Sequence, residues 1–95
     1  MSLGYRKQRF ERLIELVDEH EGDCQGVDNS KLYVRSIVFR KDISIEELEL
    51  ILEFAMAGDV AELDLSYTRI EFDPVIEAKI KYARVKSIKW GVQAA

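Results

Sequence analysis

The chain is poor in the residues from which the simplest functional frameworks are built. It carries one cysteine, one histidine, one proline and one tryptophan among 95 residues. A lone cysteine excludes an internal disulfide framework and suits a reducing compartment. No apolar run reaches the roughly 18 residues needed to span a bilayer, and the N-terminus lacks the apolar core of a secretory signal, so a cytoplasmic location without membrane contact is expected. Net positive charge is missing as well. A formal net charge of -4 argues against general nucleic-acid binding, which needs a positive surface to displace counterions from phosphates. Gly22 and Gly26 lack the strand-to-helix context and the lysine of a phosphate loop. Glu19, His20, Asp23 and Cys24 could be drawn as a metal set, but Gly22 breaks the helical spacing and no second cluster completes four ligands. Cys24 as a nucleophile would need a positioned base. We therefore expect no enzyme, no cofactor and no small-molecule substrate.

What is present suits one small folded domain over residues 1–95. Hydrophobic residues make up 47% and charged residues 34%, a balance that supports a core rather than a disordered segment. A core of this size is modest, so an apolar face left open would seek cover from a partner. Residues 4–21 have the period of an amphipathic helix: Phe10, Leu13, Ile14 and Val17 fall at i, i+3, i+4 and i+7. Residues 22–31 are polar and glycine-containing and are expected to form a loop. Leu32 to Phe39 is β-branched and aromatic, as in a strand. Ser44-Ile45-Glu46-Glu47 has the form of a capping box opening a second helix, apolar almost all round, that Gly58 stops after about Ala57. Such a helix needs cover from more than a sheet. Val60 to Ile70 reads as one buried, central strand leaving into a turn. Asp73-Pro74 places an N-cap before a proline at the first helical position, and the third helix runs to about Arg84. Val85 to Trp90 is the last strand.

The expected fold is α/β: an N-terminal helix, then a β-α-β-α-β unit over residues 32–95. Right-handed crossovers would give it a short parallel sheet with the helices on one face. The unit compares with itself. Setting Val34, Val60 and Val85 as equivalent aligns Ile37, Leu63 and Ile88, then Phe39, Leu65 and Trp90, and also Asp42 with Thr68, at offsets of 26 and 25 residues. The pattern apolar-x-x-apolar-x-apolar-x-x-Asn-x-apolar is met by Val60, Leu63, Leu65, Thr68 and Ile70, with Thr68 in the Asn place. In this the segment 32–95 resembles the leucine-rich repeat family, whose repeat length contains both offsets. That resemblance implies stacked strand-helix turns with a parallel sheet. A second similarity joins Glu62-Leu63-Asp64-Leu65-Ser66, with its following turn, Asp and helix, to the anti-sigma-factor antagonist (STAS) domains, which dock on a partner through that turn. The phosphorylatable Ser or Thr that commonly begins the helix in that family is replaced here by Asp73-Pro74.

Strand alternation predicts a wet sheet face. With Ile37, Phe39, Leu63, Leu65, Ile88 and Trp90 turned to the helices, Ser36, Val38, Arg40, Glu62, Asp64, Ser66, Ser87 and Lys89 point the other way. Arg40 and Lys89 would flank the two carboxylates of the middle strand. Such a face reads either as solvated cross-strand charge pairs or as a partner-binding surface, and these eight residues are the candidates for partner binding. Charge is also segregated: residues 1–12 sum to +3, residues 13–64 to -10 and residues 65–95 to +3. Opposed patches favour self-association or docking on a charged partner. The expected function is a non-catalytic interaction or regulatory module. The alternatives are a nucleic-acid accessory protein using Arg6 to Arg12 and the basic end of the third helix, or a structural subunit of a larger assembly.

Overall fold

The computed structural model describes residues 3–91. Helix α1 (Leu3–Glu19) leads into strand β1 (Gly22–Asp28), which turns back into β2 (Tyr33–Phe39); then follow α2 (Ile45–Leu52), β3 (Val60–Asp64), α3 (Pro74–Tyr82) and β4 (Ser87–Lys89). The four strands form one sheet in the order β1-β2-β3-β4. The fold is α/β, as expected, but the sheet is mixed. Strands β2, β3 and β4 are parallel, whereas β1 joins β2 antiparallel. Residues 22–28, expected within a loop, are therefore an edge strand. The correction has a local cause. Asp28 Oδ1 accepts from the backbone of Ser30 and Lys31 and from Ser30 Oγ, a side-chain turn that reverses the chain between the two strands.

The two internal offsets reappear as the register of the sheet. Val34 pairs with Val60 and Ile37 with Leu63, 26 residues apart; Leu63 pairs with Ile88, 25 residues apart. Residues equivalent along the sequence thus lie side by side. Val34, Ile37 and Phe39, like Val60, Leu63 and Leu65, all sit in one core. The first inward position stands three residues before the second, so these strands depart from strict alternation where they enter the sheet.

That core takes its other wall from Phe10, Leu13 and Val17 of α1, Leu48, Ile51 and Leu52 of α2, and Ile76 and Ile80 of α3. All three helices therefore pack on one face of the sheet. Helix α2 contacts both α1 and α3, which supplies the extra cover its composition requires, though Leu50 remains exposed. It ends sooner than expected, at Leu52, with turns at residues 53–54 and 57–58 before β3. Its start is the expected capping box: Ser44 Oγ accepts from Glu47 N, and Glu47 returns a carboxylate to Ser44 N. Asp73 caps α3 without a reciprocal partner, its side chain accepting from Val75 N and Ile76 N, with Pro74 next.

Two polar residues inside the fold are locally satisfied. Thr68, at the repeat position expected to hold Asn, is buried; its Oγ1 donates to Leu65 O and accepts from Ile70 N. Asp59 is wholly buried, with one carboxylate oxygen 2.9 Å from Arg6 Nη2 and the other accepting from Met56 N. Glycine is required where β4 ends. A Cβ on Gly91 would lie 2.3 Å from Thr68 O and 2.8 Å from Leu65 O, so the backbone approaches more closely there than any side chain permits.

Candidate functional site

Because every helix packs on one face, the opposite face of the sheet carries the eight residues singled out from the sequence. The strand registers set them in two rows. One row runs Gln25, Ser36, Glu62 and Ser87; the other runs Asp23, Val38, Asp64 and Lys89. Arg40 and Ser66 continue β2 and β3 beyond the second row. The register thus places six of the eight side by side in rows and the remaining two next to them.

The face is drier at its centre than alternation alone implies. Ser36, Val38 and Asp64 are buried, Glu62 is half-buried, and Arg40, Ser66, Ser87 and Lys89 are exposed. The three buried residues lie on the two central strands, where each is flanked on both sides by a neighbouring strand. Val38 lies outside the main core cluster, so this side of the sheet has a small apolar centre of its own. Charged groups frame it.

Those charged groups are tied to one another. Lys89 Nζ stands 3.6 Å from Glu62 Oε1, the cross-strand pairing foreseen for this face. Asp64 accepts from Ser66 N at 2.9 Å and Ser66 Oγ at 2.5 Å. Burial works to raise the Asp64 carboxyl, but the Ser66 hydrogen bonds together with the charges of Lys89 and Arg40 outweigh it and hold it below the usual carboxylate value. The Arg40 guanidinium lies over the ring of Tyr67 at 5.1 Å, a cation–π contact that directs Arg40 across the end of β3.

Sequence reasoning missed Asp23, Gln25 and Tyr67 in this surface. The first two belong to β1, and the available signal was the Asp28-Asn29-Ser30 turn standing between two segments of similar length. Tyr67 carried none, because only the fold brings it beneath Arg40.

The titratable side chains of this face are held in local contacts. Glu62 and Asp64 are engaged by Lys89 and Ser66, while clefts among the described residues lie between α1 and β1, near the α2–α3 pair, and at the start of those two helices. Among the described residues no group of three or more His, Cys, Asp or Glu could hold a metal ion. His20 instead links α1 to α2, through Nδ1 to Leu16 O at 2.8 Å and Nε2 to Glu47 Oε2 at 3.1 Å. Cys24 is half-buried; desolvation first, then the charges of Asp23 and Asp18, push its thiol up to about 11, which leaves it a poor nucleophile.

Several cations of the basic segments meet acceptors of their own chain. Arg6 pairs with Asp59, Arg9 donates to Glu53 O, and Arg12 meets Glu15 and Glu19. Lys79 pairs with Glu53 and Lys81 with Glu77. No helix among the described residues is long and apolar enough to cross a membrane. No protein-family model, curated protein or solved structure matches the chain.

Proposed function

We propose that this chain is a non-catalytic protein-interaction module that recognises its partner through the open face of the sheet. The carrying observation is the arrangement of that face: Val38 and Ser36 at a dry, low centre, framed by Arg40 on Tyr67, by Glu62 with Lys89, and by Asp64 and Ser66. A sheet face with an apolar centre and a rim of both charge signs suits a protein partner, since the centre rewards desolvation and the rim selects register. The matched register of β2, β3 and β4 supports reading residues 32–91 as leucine-rich-repeat-like turns, a design that presents successive strands side by side for recognition. Docking through the β3–α3 turn, as the anti-sigma-factor antagonists do, is the weaker reading because Asp73 is spent on capping α3.

Affinity capture from a lysate of the source cell at moderate salt tests the proposal. Wild type is compared with an Arg40→Glu, Lys89→Glu double variant whose fold is verified by circular dichroism. A protein retained by the wild type and lost by the folded variant supports the sheet face as the working surface. Equal retention by both forms, or retention of nucleic acid alone, sinks it.

A further inference from the structure

The two ends of the sheet differ in charge and share an incomplete core. The inward positions of the first two repeat units are fully buried at Val34, Ile37 and Phe39 and at Val60, Leu63 and Leu65. Their equivalents in the last unit, Val85, Ile88 and Trp90, are only partly covered. At the opposite end Ile14 and Cys24 are likewise only partly buried, and with exposed Val27 they line a cleft of about 390 Å³ between α1 and the outer edge of β1.

The rims of these ends carry opposite charge. Glu15 and Asp18 of α1 and Asp23 of β1 line the first cleft. At the β4 end the exposed cations are Lys81, Lys86 and Lys89. Lys81 belongs there by helical position. Ile76 and Ile80 face the sheet, Ala78, Lys79 and Tyr82 border α2, and Glu77 with Lys81 is left on the flank away from α2.

We infer that this chain associates with a second copy of itself head to tail, the acidic β1 edge of one molecule against the basic β4 edge of the next. Strand β1 runs opposite to β4, so joining them with the helices on the same side gives an antiparallel pair and continues the sheet. Two copies joined by like ends would oppose acid to acid or base to base. The head-to-tail contact is heterologous: each copy keeps one end open, and assembly proceeds beyond two copies unless a ring closes. An exposed strand edge is a ready template for such pairing. The contact uses neither row of the open face at its centre.

Sedimentation velocity over a concentration series tests this. The weight-average mass of the wild type is expected to rise past twice that of the monomer at about 0.01 M salt, where the Debye length is about 30 Å, and to fall at about 1 M salt, where it is about 3 Å. A Glu15→Lys, Asp18→Lys variant makes both ends basic; a Lys81→Glu, Lys86→Glu variant makes both acidic. Each alone should remain monomeric, and an equimolar mixture should recover the wild-type mass. None of these four positions belongs to the proposed recognition face, so the outcome is independent of partner capture. A wild type that stays monomeric at low salt overturns the inference. So does a plateau at two copies, self-association of either folded variant, or a mixture that stays monomeric. Should a double variant fail to fold, Asp18→Asn and Lys86→Gln each test one end with a smaller expected drop in mass.

Discussion

Arg6 and Asp59 stand 53 residues apart in sequence and 2.9 Å apart in the fold, joining the first turns of α1 to the residue that precedes β3. The carboxylate is wholly buried and the guanidinium side chain is 41% exposed. The basic residues that open α1 oppose the helix dipole, and this pairing is what one of them is for. Removing the arginine strands a buried charge. Arg6→Ala is expected to destabilise the protein by about 1–3 kcal/mol, the exposure of Arg6 keeping it below the cost of breaking a fully buried pair. Urea unfolding checks it; Lys7→Ala, one position on, should change stability by less than about 0.5 kcal/mol.

Gly91→Ala should loosen the end of β4. The added methyl meets three backbone carbonyl oxygens, of Thr68, Leu65 and Ile70, and backbone cannot move aside as a side-chain tip can. A loss of about 1–3 kcal/mol is expected from this overpacking. Thermal unfolding measures it, and amide exchange should show the loss of protection centred on Gly91 N, which donates to Ile70 O at 2.7 Å.

Acid should weaken the sheet through Asp64. Its folded pKa is lowered, so the native state binds its proton less readily than the unfolded chain does. The stability it contributes is full above its unfolded pKa, about 3.9, and is lost as pH falls through the folded value. Asp64→Asn should therefore flatten the stability profile below about pH 4 relative to wild type. Denaturant titrations at a series of pH values decide the matter; identical acid limbs in both proteins would contradict it.

Cys24 should react slowly while the protein is folded. With its thiol pushed up to about 11, the thiolate is scarce near neutrality, whereas an unperturbed thiol has a pKa near 8.5. Alkylation by iodoacetamide at pH 7.5 is expected to be about tenfold or more slower than in the urea-unfolded chain. Equal rates would mean that the burial and acidic surroundings of Cys24 do not hold in solution.

Much of this architecture was legible in residue order because its signals are local. The capping box at Ser44 and Glu47, the Asp73-Pro74 start of α3 and the stripe of α1 each lie within a few turns of backbone. The repeat offsets went further, since equal spacing between inward residues becomes strand register once the strands stack. Six of the eight candidate face residues follow from that register. Strand β1 was hidden because its residues are small and polar; it is held by its pairing with β2 and by the Asp28 turn.

The sequence by itself determined where the helices start and the three strands set at equal offsets, because periodicity and capping act between near neighbours. Only the tertiary structure decided that β1 closes the sheet antiparallel, that Val38 and Ser36 are dry, that Arg40 rests on Tyr67, and that the basic start of α1 is spent on Asp59 and Glu53. Those outcomes depend on which groups distant in the chain compete for the same space and charge, and such competition is resolved only when the whole core has formed.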